Sequence, residues 1–227
     1  MAVLGRMVNR EDSLSRVDTT QGLAQQVKEL PVNTSAYKLN TPLGLNNKDG
    51  IAELVSRADR RNWAPEETLK GAWFALRGIG VSPFIAYQAA QDLKGSVLPK
   101  VPDDADTWTY MGVGAERGLL RLQGLKPQDL VNWAHANGYV KSGAQMRDLS
   151  MKDTYVSGWI KRVLGVKDRE AWGLKGAEKL LELSRLPELW PRDWPEWHLG
   201  EAEHMLCEFD KLERWRQIGP KGARLFK

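Results

Sequence analysis

The chain has 227 residues, of which 42% are hydrophobic, and 33 Lys and Arg against 29 Asp and Glu give a net charge of +4. This length suits one large domain or two small ones, and it is enough to bury a core without disulfides. No apolar run approaches the roughly 18 residues of a membrane span, and the lone Cys207 has no partner for an internal disulfide. We therefore expect a cytoplasmic protein without a membrane anchor.

Hydrophobic spacing and helix-capping residues predict an all-α fold, with strand alternation nowhere convincing. Residues 1–34 are expected to form a partly helical N-terminal extension, and residues 35–227 a single helical domain. Asp49 is expected to cap one helix, Pro65 to stand in the first turn of the next, and Gly78 to end it. Further helices are predicted over residues 84–94, 115–123, 127–137, 151–164, 169–186 and 199–217, with an acidic connector at 99–106.

The first candidate site is a turn between two predicted helices. Gly78 and Gly80 flank a single residue, and Ser82 followed by Pro83 opens the second helix. Glycines permit a positive φ and a close backbone approach, so N–H groups here can bind a DNA phosphate without reading sequence. The pattern is typical of a helix-hairpin-helix DNA-binding unit. The alternative is a plain helical turn.

A second glycine turn, with Gly112 and Gly114, leads into a helix whose first turn carries Glu116 and Arg117. A glycine-rich turn at a helix N-terminus is a ready anion site, and Arg117 adds a bidentate grip on phosphate or carboxylate. These residues are the second candidate for contact with DNA. The alternative is a tight loop with Arg117 in a surface ion pair.

The final helix carries two neighbouring rows of side chains. The predicted core stripe consists of Ala202, Met205, Leu206, Phe209 and Leu212. A second row, spaced i, i+4, i+7 and i+11, consists of Glu203, Cys207, Asp210 and Arg214, with His204 and Lys211 beside it. Carboxylates that border an apolar face are candidates for acid–base chemistry, although ordinary surface helices contain similar residues.

Cys207 and His204 lack the neighbouring Cys or His residues that a zinc site requires, so we expect no metal and no cofactor. Cys207 is interpreted as a small buried hydrophobe, with a nucleophilic role as the alternative. There is no phosphate-binding Gly-x-x-x-x-Gly-Lys-Ser/Thr motif, so the chain is not expected to phosphorylate its own substrate.

Two regions near the C-terminus also suit nucleic acid. Trp190, Trp194 and Trp197 lie in a segment that two prolines keep from being helical; we expect them to pack in the core, with stacking on bases as the alternative. A basic cluster follows, which fits phosphate contact or, equally, a solvated tail. It consists of Lys211, Arg214, Arg216, Lys221, Arg224 and Lys227.

Taken in order, these segments resemble one family. The residues concerned are Gly78-Ile79-Gly80, Pro83 to Gln88, Asp92-Leu93, Gly112 to Leu122, Glu203-His204 and Leu206 to Lys211. They are similar to the alpha-glutamyl/putrescinyl thymine pyrophosphorylase family, whose relatives include the helical domain of 5-hydroxymethyluracil DNA kinases and phage amino acid:DNA transferases. The resemblance covers roughly residues 35–227. Val81-Ser82 lengthens the first turn relative to the family pattern, and Glu116 replaces a small or basic residue.

This resemblance implies a fold related to helix-hairpin-helix DNA glycosylases and action on a flipped, modified thymine in double-stranded DNA. An amino acid or amine would replace the phosphate-type leaving group of 5-phosphomethyluracil, in the host cytoplasm if a bacteriophage encodes the chain. Arg117, Lys211 and Arg214 would bind the phosphate or a carboxylate, and Asp210, Glu203 or His204 would act in catalysis. The alternatives are a glycosylase that excises a hypermodified base with Asp210, and a non-catalytic DNA-binding domain.

Overall fold

The computed structural model describes residues 25–26, 29, 47–61, 67–138, 153–186 and 196–218. Within these residues there are eight α-helices and no strand, which confirms the all-α class. In chain order the helices are α1 (Asn47–Arg60), α2 (Leu69–Gly78), α3 (Pro83–Asp92), α4 (Val113–Leu122), α5 (Pro127–Ala136), α6 (Asp153–Arg162), α7 (Arg169–Ser184) and α8 (Leu199–Ile218). They belong to two compact units, which meet in the chain between Trp108 and Thr109.

Two helix starts in the N-terminal unit differ from the prediction. Helix α1 begins at Asn47, so Asp49 lies in its first turn, where its charge suits the helix dipole, and does not cap it. Helix α2 begins at Leu69, because the Thr68 hydroxyl caps it by accepting a hydrogen bond from the Gly71 N–H at 3.0 Å. The helix therefore begins later than predicted, and Pro65, which was expected in its first turn, lies outside the described residues.

The turn between α2 and α3 closes the first helix in a Schellman motif. Gly80 has φ of 100°, the Gly80 N–H donates to the Arg77 carbonyl at 2.9 Å, and the Val81 N–H donates to the Leu76 carbonyl at 3.3 Å. Val81 and Leu76 are both buried, as the hydrophobic contact of this motif requires. Only Gly80 needs a glycine's conformational freedom, because Gly78 is helical.

The predicted acidic connector at 99–106 is an ordered part of the N-terminal unit. The Asp104 carboxylate accepts hydrogen bonds from the N–H groups of Leu69 at 2.8 Å and Lys70 at 2.9 Å, at the start of α2. Trp108 is buried at its end, against the rings of Trp73 and Tyr87. The connector therefore caps α2 and completes an aromatic cluster.

The C-terminal unit is organised around the pair formed by α4 and α8. A methyl group at Gly118 of α4 would overlap the carbonyl oxygen of Leu206 of α8, so a side chain there would push the two backbones apart. Residues from α4, α7 and α8 form the main core around this contact: Met111, Ala115, Leu119, Ala177, Leu181, Leu199, Ala202 and Leu206. A second cluster, Leu120, Leu130, Val156 and Ile160, joins α4 to α5 and α6.

The predicted helices of this unit are confirmed, with ends displaced by a few residues.

Among the tryptophans, Trp108 is buried, Trp215 is 40% exposed, and Trp73, Trp133, Trp159, Trp172 and Trp197 are partly buried. Trp63, Trp190 and Trp194 lie outside the described residues, as do residues 1–24 and the basic residues Lys221, Arg224 and Lys227. None of the described helices is long and apolar enough to cross a membrane.

Candidate functional site

Helix α8 buries a different face from the one its apolar residues predicted. Met205 and Leu212 are 44% and 42% exposed, whereas the carboxylates Glu203 and Asp210 are 2% and 0% exposed. The predicted core stripe is therefore wrong at these two apolar positions and correct at Ala202 and Leu206. The physical reason is that α4 supplies hydrogen-bond donors to both carboxylates, which offset the cost of burying charge.

Helix α4 presents these donors beside its small residues. Four residues of α4 are spaced i, i+3, i+4 and i+7 and so share one face of the helix: Gly114, Arg117, Gly118 and Arg121. A Cβ at Gly114 would come within 2.6 Å of the Cys207 sulfur. The two glycines bring the helices close together, and the two arginines between and after them extend along the contact to Asp210.

Asp210 is held by arginines from both helices. Its two carboxylate oxygens each accept a hydrogen bond, one from Arg117 Nε and the other from Arg121 Nε, both at 2.8 Å. A terminal nitrogen of Arg214, one turn further along α8, lies 3.7 Å from the same carboxylate. The contact between Asp210 and Arg214 is thus a minor part of a buried arrangement, and the alternative of a surface ion pair for Arg117 is wrong.

This group of Arg117, Arg121, Asp210 and Arg214, hereafter the arginine cluster, carries three positive charges against one negative charge. The side chains of Arg117, Arg121 and Arg214 are 13%, 7% and 23% exposed. Burial lowers the pKa of Arg214, Asp210 raises it, and the two other arginines lower it further. Among the side chains of this cluster the positive charges outnumber the negative one, and their partly dehydrated surroundings strengthen attraction to an anion.

Glu203 lies on the same row of α8, two turns before Asp210. Its Oε1 accepts a hydrogen bond from the Gly112 N–H at 3.3 Å, at the N-cap of α4. Burial raises the pKa of Glu203 to about 7, against the lowering effects of the Gly112 N–H and of Lys211. A carboxyl group that titrates near neutrality is suited to proton transfer.

At the predicted anion site at the start of α4, two of the glycines make contacts within the chain. The Gly112 N–H bonds to Glu203, and Gly114 packs against Cys207. Both predicted DNA-binding glycines of this segment serve the contact between α4 and α8. Glu116, also buried, pairs with Arg169 of α7, an interaction that the sequence analysis did not anticipate.

The remaining predicted residues of α8 lie at the edge of the site. Lys211 pairs with Glu208, and His204, which is 58% exposed, lies 3.8 Å from the same Glu208 carboxylate. Cys207 is partly buried, and burial raises the pKa of its thiol, which disfavours the reactive thiolate. Of the three predicted catalytic residues, the structure brings Glu203 and Asp210 to the contact with α4 and leaves His204 outside it.

Arg121 is the residue of the cluster that was not predicted from the sequence. It stands four residues after Arg117, and the i, i+4 spacing of two arginines on a helix with glycines at positions 114 and 118 was the available signal. Arginines repeated on the face that packs closely against another helix need an acidic partner there, and Asp210 supplies it.

The predicted DNA-binding turn of Gly78, Gly80 and Ser82 belongs to the N-terminal unit. The Gly80 N–H, expected to meet a phosphate, donates instead to the Arg77 carbonyl. Ser82 is the N-cap of α3 without a side-chain capping bond. The Ile79 and Val81 carbonyls accept hydrogen bonds from Arg57 and Arg77, so arginines lie beside the turn.

Across the described part of the chain, no group of three or more His, Cys, Asp or Glu residues is arranged to hold a metal ion. Comparison with protein-family models, with curated proteins and with solved structures finds no match to this chain.

Proposed function

We propose that this protein is a DNA base-modifying transferase, which replaces the phosphate of 5-phosphomethyluracil in DNA with an amino acid or amine. The observation that carries the proposal is the arginine cluster, in which three guanidinium groups surround one buried carboxylate. The sequence resemblance described above supplies the substrate class.

The first step of the proposed reaction is capture of the phosphate by the cluster. The modified thymine leaves the base stack, as a base must when an enzyme acts on it within a duplex. Its phosphate dianion then approaches Arg214, the most exposed of the three arginines, and offsets the surplus positive charge. Asp210 acts as a positioning residue, because it fixes the orientation of Arg117 and Arg121 through their Nε atoms.

The second step is displacement. The amine nitrogen attacks the methylene carbon on C5 of the uracil, and the new carbon–nitrogen bond forms as the carbon–oxygen bond to phosphate breaks. The phosphate leaves with the bonding electron pair, whose charge the arginines stabilise. The ammonium form of the donor must first lose a proton, and Glu203 is the proposed acceptor because it titrates near neutral pH.

The glycosylase alternative is less well supported by this geometry. It requires a carboxylate beside the deoxyribose, and Asp210 was the candidate. Each of the two oxygens of Asp210 accepts a hydrogen bond from an arginine, whereas the Glu203 carboxyl group accepts one from the Gly112 N–H. A carboxylate engaged in this way is poorly placed to reach a sugar.

Nucleoside mass spectrometry tests the proposal. DNA that contains 5-phosphomethyluracil is incubated with the protein and a mixture of amino acids and polyamines, and is then digested to nucleosides. We expect a new amine adduct of the modified nucleoside and release of orthophosphate. Release of the free base would establish a glycosylase instead, and unchanged DNA would rule out both reactions.

Two variants connect the reaction to the cluster. Arg214→Gln removes one cation and leaves the two 2.8 Å bonds to Asp210 in place, so the fold should survive while adduct formation falls by about tenfold or more. Arg216→Gln is the matched control, because Arg216 lies on the same helix in an exposed pair with Glu213. Equal activity of the two variants would contradict a role for the cluster.

A further inference from the structure

A groove of about 500 Å³ lies between α4 and α7, on a part of the C-terminal unit that the proposed reaction does not use. Helix α4 contributes Leu119 and Leu122, and helix α7 contributes Trp172, Leu180 and Leu183, with Lys175 and Lys179 also in the lining. The surface is mainly apolar, with leucine as its commonest side chain.

We propose that this groove binds an amphipathic helix of a partner protein, with leucine-like side chains facing the groove and acidic residues facing Lys175 and Lys179. This is the helix-in-groove mode of recognition, in which apolar residues at helical spacing anchor the partner. The proposal is independent of the transferase reaction.

The shape of the groove supports a helical occupant. Its α7 residues run from Trp172 to Leu183 and follow the spacing i, i+3, i+4, i+7, i+8 and i+11, which is one continuous helix face. Eleven residues of helix rise by roughly 16 Å, or three turns. A partner helix of about three turns would match this length.

Two of the apolar side chains of the groove are accessible. Leu122 is 53% exposed and Leu183 is 44% exposed. They lie on the two helices that form the walls, so a helix seated between them would remove apolar surface from water on both sides. Burial of such surface provides the main driving force for association.

The charge of the lining selects an acidic partner. Lys175 and Lys179 are one helical turn apart, both are exposed, and the described residues that line the groove include no acidic side chain. Among the residues that the structure describes, neither lysine makes an ion pair. Acidic residues on the edge of the bound helix would complement this charge, which favours fast association and a defined orientation.

The same lining argues against a nucleic-acid strand. Single-stranded nucleic acid is usually bound by several aromatic rings along a basic groove. Of the described residues that line this groove, Trp172 alone is aromatic, among four leucines. These described lining residues also include no arginine. The chemistry is therefore that of a protein partner.

Binding of a designed peptide to the full-length protein tests the proposal. The probe is a stapled helix of about 14 residues, labelled with fluorescein, with leucines at i, i+4, i+7 and i+11 and glutamates beside them. We expect saturable binding by fluorescence anisotropy, weakened by about tenfold or more in Leu122→Asp and in the double variant K175E/K179E. Circular dichroism verifies that each variant is folded. The matched control is Lys161→Glu, because Lys161 is an exposed lysine of α6.

A charge swap makes the test specific. A second peptide, in which lysines replace the glutamates, should bind the K175E/K179E protein more tightly than it binds the unaltered protein. The proposal fails if both peptides bind all variants equally, or if neither binds. It also fails if Leu122→Asp abolishes self-association measured by sedimentation, because a second copy of the chain would then be the occupant. Tighter binding of a single-stranded oligonucleotide than of the peptide at Trp172 would contradict the proposal as well.

Discussion

Replacement of Asp210 by asparagine keeps the size of the side chain and removes its charge. In the folded protein this leaves Arg117 and Arg121, 13% and 7% exposed, without the carboxylate to which each donates at 2.8 Å. Removal of one partner from a buried ion pair typically destabilises a protein by about 3–5 kcal/mol, because the remaining charge stays buried without compensation. We expect a loss of this size in the free energy of unfolding.

The assay is urea unfolding followed by tryptophan fluorescence, with Glu213→Gln as the control. Glu213 pairs with Arg216, whose side chain is 61% exposed, so loss of this pair should cost only about 0–1 kcal/mol. If Asp210→Asn loses less than about 1 kcal/mol, the arginines are better solvated than the structure indicates. A catalytic base would show the opposite pattern, with an unchanged unfolding free energy and a large loss of turnover.

Further predictions concern Glu203 and the glycines. Because the pKa of Glu203 is raised to about 7, the folded state keeps a proton that the unfolded state loses above its ordinary value of 4.5. The free energy of unfolding should therefore fall by about 3 kcal/mol as the pH rises from 4.5 to 7, and Glu203→Gln should remove most of this fall; an unaltered pH profile would contradict the assignment. Gly118→Ala should lower the free energy of unfolding by roughly 1–3 kcal/mol, because its methyl group would overlap the Leu206 carbonyl. Gly78→Ala should change the free energy of unfolding by less than about 0.5 kcal/mol, since a methyl group at Gly78 meets only the end of the Arg61 side chain. Equal effects of Gly118→Ala and Gly78→Ala would refute the close packing of α4 against α8. Gly80→Ala should lower the free energy of unfolding by about 1–2 kcal/mol, because φ is 100° at this position. An unchanged melting curve of this variant would contradict the prediction.

The sequence predicted several helices well because a local signal marks their start. Pro83 opens α3, and Asp168 caps α7 by accepting from the Ala171 N–H at 3.0 Å. The start of α2 was misplaced because two competing signals, Pro65 and Thr68, lie three residues apart, and only the observed capping bond decides between them. The division into two units after Trp108 had no local signal.

The arginine cluster was only partly predictable. The row of Glu203, Cys207, Asp210 and Arg214 follows from helical spacing alone, as does the placement of Arg117 near a helix start. Which face of α8 is buried does not follow from hydrophobicity, since Met205 and Leu212 are exposed and two carboxylates are buried in their place. That choice depends on donors from α4, about 90 residues earlier in the chain.

The most direct test of the proposed function is the affinity of the protein for two DNA duplexes that differ at one base, 5-phosphomethyluracil or thymine, at a fixed salt concentration. If the arginine cluster receives the phosphate of the modified base, the unaltered protein should bind the phosphorylated duplex at least about tenfold more tightly, a difference near 1.4 kcal/mol. Arg214→Gln should remove most of this preference, and Arg216→Gln should retain it. Equal affinity of the unaltered protein for the two duplexes would contradict the proposed function.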